Sequence, residues 1–509
     1  MLSLAKRFLF RVLIAFVLCH LCLGVQLNSA FAHSETLKIT ILYMNDPHAH
    51  YSAETLKDGA GVHGGFAKAQ SVISDVKEEN SKQGRHTILL LAGDLLTGTS
   101  YSTVFKGAMG VDLLNSMGLT AMVVGNHEFD YGISNLMNQL KPKMNFPLIS
   151  ANIVGGKGER LFQPYVVKQF DDGRHCVFIM GLTTTRTPVT TSPRNVEGLQ
   201  FLDPVSVGNE VLSNAPPGCL VIALTHIGFK EDKMLAASCP RINVIIGGHT
   251  HTKLEQPVSV ADTIICQASA YAEYVGKLDI DFKDGKIASY AGTLIPLDAT
   301  IREDKKIAGL VSQYREKMGP QLQQPVGVTD VALDGSRSMV RSDDPNDLCR
   351  LIAGIMAKSV GADVALINGG AVRGGLKQGV ITINDVYGAL PFDDAIVKMN
   401  FSGEDIKSLL QNSRDLPQGS GGKLQHYGIE YSVTDGKTEI QKIRGEKFDP
   451  SKLYSLAVSE FLSIGGDGYS IFKEKGQNQL NSGLIIRDLL VNYVRDKKTI
   501  TEQDIDLFR

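Results

Sequence analysis

The chain has no tryptophan in 509 residues, seven cysteines and almost no net charge, formally −2 at pH 7. The missing tryptophan excludes no fold class. The charge balance says more, because a protein that grips polymeric nucleic acid through its phosphates carries a basic footprint, and here both signs are interspersed. Polymeric nucleic acid is therefore not an expected partner. Past the N-terminus no apolar run is long enough to span a bilayer, and there is no internal repeat or low-complexity tract.

The N-terminus is the exception. Residues 1–32 read as a secretory signal: Lys6, Arg7 and Arg11 form a basic end, VLIAFVLCHLCLGV is the apolar core, and Ala30-Phe31-Ala32 offers a cleavage site. A cut after Ala32 would give an exported, for example periplasmic, protein with no stable membrane insertion; a retained anchor is the competing reading. Cleavage removes Cys19 and Cys22 and leaves Cys176, Cys219, Cys239, Cys266 and Cys349. That odd number leaves at least one thiol free or paired with another molecule. An oxidising compartment admits one or two bridges, yet cysteines beside apolar runs also serve as small buried hydrophobes, and the sequence does not choose.

What the chain does have is a set of short, β-branched apolar runs, each ending in a metal-seeking residue. LKITILYMND delivers Asp46 and then His48, HTILLLAGD delivers Asp94, and TAMVVGNHE delivers Asn126 and His127. LVIALTH delivers His226, and INVIIGGHTH delivers His249 and His251. Nearly continuous apolar runs of this length fit strands buried on both faces of an α/β sheet, and residues at their carboxyl ends converge in one crevice. Two divalent cations roughly 3.5–4 Å apart need an anionic oxygen between them, and Asp94 is the natural bridge. Imidazoles with a carboxylate and an amide suit zinc, manganese or cobalt, and the lack of a thiolate in the set argues against redox or iron–sulfur chemistry.

In their order, Asp46-Pro47-His48, Gly93-Asp94, Gly125-Asn126-His127-Glu128, His226 and Gly248-His249-Thr250-His251 resemble the calcineurin-like metallophosphoesterase superfamily. The second half of the chain narrows the resemblance to the periplasmic and ecto-5′-nucleotidase family, which includes UDP-sugar hydrolases. The resemblance implies an α/β fold: a four-layer α/β/β/α metallophosphoesterase domain, a linking helix and an α/β substrate-binding domain. It implies one metal on Asp46, His48, Asp94 and His251 and another on Asp94, Asn126, His226 and His249. A metal-bound water or hydroxide would attack phosphorus in line, with His127 stabilising charge on the phosphoryl group and Asp130 orienting it. His50 is expected to stand beside the ligand set, and Glu128 to be structural.

Domain boundaries follow from composition: a metal domain over 33–297, a charged linking helix over 298–324 with a Gly-Pro break near its end, and a second domain over 325–509. Three clusters in the second domain look like the family's substrate site. Asn368-Gly369-Gly370-Ala371-Val372-Arg373 is a Gly-rich turn expected to bring backbone N–H groups and a guanidinium to an anion. Leu390-Pro391-Phe392-Asp393-Asp394 and the segment from Phe461 to Tyr469 place aromatic rings on Gly- or Pro-bounded loops suited to sandwiching a base. The resemblance implies stacking by Phe392 and Phe461, ribose hydroxyls on Asp467, and phosphate on Arg373 and Arg341. Asp394 stands where relatives often carry an Asn that contacts the base, which bears on base preference.

The function expected is release of phosphate from nucleoside 5′-monophosphates, with UDP-sugars as further substrates. The rival within the same chemistry is a 2′,3′-cyclic nucleotide phosphodiesterase with 3′-nucleotidase activity. A sulfur-ester hydrolase is a more distant rival, and a non-catalytic nucleotide receptor gains nothing from two metals and a charge-stabilising imidazole.

Overall fold

The computed structural model describes residues 36–55 and 62–508, so the expected signal segment lies outside the described residues. The strand Leu37–Met44 is apolar on both faces because it is central: it pairs antiparallel with Tyr274–Lys283 and parallel with His86–Leu91. Successive side chains leave a strand on opposite faces. Ile39, Ile41 and Tyr43 accordingly enter one core, and Leu42 and Met44 enter another.

That alternation defines four layers. The first six-stranded sheet runs Lys286–Pro296, Tyr274–Lys283, Leu37–Met44, His86–Leu91, Ala121–Val123 and Leu148–Ile149. The second runs Val258–Val260, Thr263–Cys266, Val244–Ile246, Leu220–His226, His175–Thr183 and Tyr165–Phe170. Between them Ile39, Leu90, Val123, Ile222 and Ile246 pack with almost no exposure. Helices Phe66–Lys82 and Ala108–Met117 cover the first sheet, and Pro204–Leu212 and Phe229–Ser238 cover the second. Each fully buried Leu, Ile or Val contributes about 1.5–3 kcal/mol.

Cys176 and Cys219 form a disulfide where the neighbouring strands His175–Thr183 and Leu220–His226 begin side by side. Cys239, Cys266 and Cys349 are free and buried. No helix of the described residues is long and apolar enough to cross a membrane.

The linking segment contains a helix, as expected, and that helix is docked on the first domain. Its helix, Lys305–Lys317, puts Ile307, Val311 and Tyr314 into the helical core of the first sheet. Arg302 pairs with Asp75, and Tyr314 Oη donates to Asp112 Oδ2 at 2.5 Å. The physical reason is the i, i+4, i+7 spacing of the three apolar residues, which makes one buried stripe. Leu322 and Gln324 already accept hydrogen bonds from Asn384 and Ile383 of the second domain. The crossover is thereby confined to the stretch around Gly319-Pro320, where Gly319 has φ +75°.

The second domain centres on a five-stranded sheet in the order Leu424–Tyr427, Val364–Asn368, Leu453–Ser459, Ala395–Ser402, Gln477–Ile485. Ala365 and Ile367 face helices Asp347–Val360 and Ile486–Lys497, while Val364 and Leu366 face Gly403–Asp415. The strand Val364–Asn368 ends at the Gly-rich turn, pointing it at the first domain's crevice.

Candidate active site

The loops after the first two parallel strands run together: the Asp46 N–H donates to Gly93 O and the His48 N–H to Asp94 O, both at 3.1 Å. Crowding explains the neighbouring glycines. A Cβ at Gly93 would lie 2.6 Å from His226 Nδ1, and one at Gly248 would lie 2.4 Å from Ala92 O. Asp46, His48, Asp94, His249 and His251 all hold positive φ, between 46° and 79°, a strained backbone typical of functional sites.

Backbone carbonyls aim the imidazoles. His48 Nδ1 donates to Thr97 O at 2.7 Å and His226 Nδ1 to Ala92 O at 2.7 Å, which turns both Nε2 atoms inward. His226 Nε2 then lies 3.1 Å from Asp94 Oδ2 and 3.2 Å from Asn126 Oδ1, and His249 Nδ1 lies 3.0 Å from the same amide oxygen. His251 Nε2 is 3.4 Å from Asp46 Oδ1 and 3.0 Å from His48 Nε2. Asp46, His48 and His251 form one cluster and Asp94, His226 and His249 another, with ligand atoms in each within 4.8 Å of one another. Asp94 Oδ2 reaches His226 and lies 3.7 Å from His48 Nε2, so it stands between the clusters.

The electrostatics fit a cation site. Burial alone would raise Asp94, yet His226, His127 and His48 hold its carboxyl well below the ordinary value. Burial drives His48 and His251 well below theirs, and burial with the neighbouring His226 takes His249 to about 3. Burial opposes charge on His226, but Asp94 and Asp46 lift it to about 10. An ionised Asp94 beside neutral His48, His249 and His251, in a place that rewards positive charge at His226, is a donor set that fits two divalent cations.

Two residues buttress this set. Asn45 Nδ2 donates to Asp46 Oδ2 at 2.8 Å while its Oδ1 accepts from the Ala268 N–H. Glu128 accepts from the N–H groups of Asp94, Leu95 and Gly125, and burial pushes it up to about 7. Its carboxylate is consumed in tying two ligand loops together. His50 lies beside the clusters with its ring 4.6 Å from Tyr271.

His127 and Asp130 are a close pair, Nδ1 to Oδ2 at 2.6 Å. Asp130 Oδ1 accepts from Thr191 Oγ1 at 2.7 Å. The other ring nitrogen of His127, Nε2, accepts from Arg373 Nη2 of the second domain at 3.0 Å.

The cleft between the domains encloses about 770 Å³ and is lined by His127, Arg373, Phe392, Asp394, Phe461 and Asp467 among others. Arg341 is buried with its Nε unpartnered, and burial next to Arg337 and Arg373 holds it well below the usual arginine range. Crowded guanidiniums of this kind call for an anion. Asn368 Nδ2 donates to Asp467 Oδ2 at 2.7 Å, leaving its buried Oδ1 without a partner. Asp394 accepts from the Phe461 N–H at 3.3 Å and is pushed by burial to about 7, so one carboxyl ties both aromatic loops together. The Phe461 ring lies on Gly466, where a Cβ would come within 2.5 Å of it. The Gly-rich turn corrects one expectation: the Gly369 and Gly370 N–H groups are spent on Lys423 O and Gly421 O. The turn offers Arg373, with Gly370 lining the cleft, instead of a nest of backbone donors.

Sequence reading missed Arg337, whose Nη1 donates to His251 Nδ1 at 3.0 Å. It precedes Arg341 by four residues on the short helix Arg337–Val340, a one-turn spacing that puts two arginines on one side and was the available signal.

Residues 39–253 match the calcineurin-like phosphoesterase family and residues 325–474 match the 5′-nucleotidase C-terminal domain. Protein UshA of Escherichia coli (strain K12) is 28% identical over 521 residues, 92% of each chain. The trifunctional nucleotide phosphoesterase protein YfkN of Bacillus subtilis (strain 168) is 31% identical over 498 residues, which cover 87% of this chain but only 33% of that relative. Among solved structures, the 5′-nucleotidase precursor of Thermus thermophilus superposes with a TM-score of 0.81 at 27% identity, over 91% of this chain and 97% of that one.

Proposed function

Because the chain belongs to the calcineurin-like phosphoesterases that carry a 5′-nucleotidase C-terminal domain, and is a phosphoric ester hydrolase, we propose that it is an exported nucleotidase that releases phosphate from nucleoside 5′-monophosphates. The observation that carries this reading is the meeting of two domains at one cleft, whose lining combines the His127–Arg373 contact with Phe392, 5.5 Å from the Arg373 guanidinium, and Phe461. Export is supported by the signal-like residues 1–32 and by the Cys176–Cys219 bridge, a feature of oxidising compartments.

Asp46, His48, Asp94 and His251 would hold one divalent cation, and Asp94, Asn126, His226 and His249 the other. When bound, the pair supplies charge neutralisation and a water of lowered pKa. The chain's own side chains do the rest. Arg337, Arg341 and Arg373 receive the phosphate anion, and Phe392 and Phe461 hold the base. Asp467, oriented by Asn368, takes the ribose hydroxyls. Asp130 accepts from His127 Nδ1–H and so aims Nε2 at the phosphoryl group, where, carrying a proton, it donates to the charged oxygen as the ester bond breaks. Domain rotation about Gly319-Pro320 would admit substrate and release product.

The test is a substrate panel ranked by kcat/KM: 5′-, 3′- and 2′,3′-cyclic nucleotides and a UDP-sugar, with added manganese or zinc and with chelator. Preference for 5′-monophosphates and loss of turnover on chelation is the expected result. Preference for the cyclic ester would replace it with the phosphodiesterase reading, and saturable binding without turnover would remove catalysis altogether.

A further inference from the structure

The stretch 186–195 lines the cleft and touches both of its halves while supplying neither a proposed metal ligand nor a base-stacking ring. It is short-chained and polar, with the turn Thr187–Thr190 followed by Pro193–Val196. Two of its residues hold Asp130. Thr191 Oγ1 donates to Asp130 Oδ1 at 2.7 Å and Asn195 Nδ2 to Asp130 O at 2.9 Å, so the carboxylate oxygen not used by His127 and the backbone behind it are both fixed. Thr191 is 2% exposed, so its side chain is largely shielded from bulk solvent.

The same stretch also reaches the second domain. Arg194 Nη1 donates to Glu460 Oε1 at 2.5 Å, and Glu460 directly precedes the platform residue Phe461. Asn481 Nδ2 holds the same Glu460 oxygen at 3.2 Å, so the carboxylate is fixed from its own domain. The turn Thr187–Thr190 packs on Gly466–Gly468, the loop of Asp467. A half-exposed pair, with Arg194 64% and Glu460 24% exposed, adds little to fold stability. Its effect is directional, because it forms only when the second domain sits on the first.

We propose that the stretch 186–195 is a coupling strap: it holds Asp130 with one set of contacts and latches onto Glu460 with another, bringing the catalytic dyad and the base platform into register. Thr191, Arg194 and Glu460 are positioning residues. The substrate half of this inference rests on the nucleotidase reading; the latch half rests on geometry alone. An ester without a base still meets Arg337, Arg341 and Arg373 of the second domain but not the base platform, so it draws less on the latch than a nucleotide does.

The full mature chain is tested as Arg194→Glu, Glu460→Arg and the charge-swapped double variant, on AMP and on p-nitrophenyl phosphate. Each single reversal lowers kcat/KM for AMP by about three- to tenfold, the scale of one exposed pair turned repulsive, and the swap restores it to within about twofold. Turnover of p-nitrophenyl phosphate, which uses the second domain's arginines but not its base platform, falls less than turnover of AMP in each single variant. Equal loss on both substrates, or no rescue by the swap, overturns the proposal. Small-angle X-ray scattering without nucleotide reads the latch independently: each single reversal widens the particle and the swap recloses it. Unchanged scattering from the single variants overturns the latch even if AMP proves not to be a substrate. Wild-type inactivity on AMP together with latch-dependent scattering instead removes the nucleotidase reading and keeps the strap.

Discussion

Arg373 Nη2 stands 3.0 Å from His127 Nε2, so a guanidinium of the second domain touches the imidazole that the first domain holds on Asp130. With Nδ1 donating to Asp130, Nε2 is the acceptor in that contact. An arriving phosphate, anionic on several oxygens, is a better partner for the Arg373 guanidinium than the imidazole is, and His127 joins in only as a donor, with a proton on Nε2.

His127→Ala is expected to lower kcat by roughly two to four orders of magnitude, the scale of one preorganised donor or acid–base group. Metal content per chain should stay at the wild-type value by mass spectrometry, because His127, although it clusters with His48 and Asp94, is not among the seven residues proposed to hold metal. An unchanged kcat would take His127 out of the mechanism.

Asp94→Ala should abolish turnover and also remove metal. Its carboxylate sits between the two clusters, and with it goes the one anionic oxygen positioned to offset the repulsion of two cations. Retention of two metals per chain in this variant would show that Asp94 does not bridge.

Asp394 predicts a base preference that moves with pH. Burial raises its carboxyl to about 7, so below that pH it keeps a proton and donates, and above it accepts only. The rate on UMP, whose base edge offers carbonyls, should fall relative to CMP as pH rises through about 7, and Asp394→Asn should flatten the ratio. The stability sign follows from linkage: the unfolded carboxyl ionises first, so the native state loses stability between about pH 4 and 7. Asp394→Asn should lessen that slope in denaturant titrations, with Glu128 and Asp232, also raised to about 7 by burial, keeping the rest, and a flat wild-type profile would count against the raised carboxyl.

Ile307→Ala should cost about 2–4 kcal/mol, the range for truncating a large aliphatic in a packed core. Ile307 is 1% exposed within the first domain's core. Scanning calorimetry should show the loss in the first domain's transition with the second's unmoved. Loss of neither would mean that the linking helix is not docked in solution.

How far these features were legible depends on the kind of order that produced them. The strand ends were plain because a buried strand must be apolar, and the polar residue that stops it stands out, as His226 does after LVIALT. The docked helix was readable from Ile307, Val311 and Tyr314, yet their charged neighbours make the segment look like a linker. Arg337 hid because its one-turn spacing to Arg341 is a single pair at one short helix, too little to stand out as a period. The strap at 186–195 left no trace either, since Thr191 and Asn195 act through single hydrogen bonds that composition does not record. The Gly-rich turn misled, because glycine permits a free N–H without guaranteeing one, and the partners that consume it, Gly421 and Lys423, lie some fifty residues downstream.

The left-handed backbone at five of the seven ligand positions narrows what replacement can do there. Aspartate and histidine are among the few non-glycine side chains that accept that conformation readily, and they are also cation ligands. Selection for the bend and selection for the bound ion therefore act on the same letters. A β-branched substitute would fail twice, and a glycine that relaxed the chain would forfeit the donor, so these positions have few viable mutational neighbours.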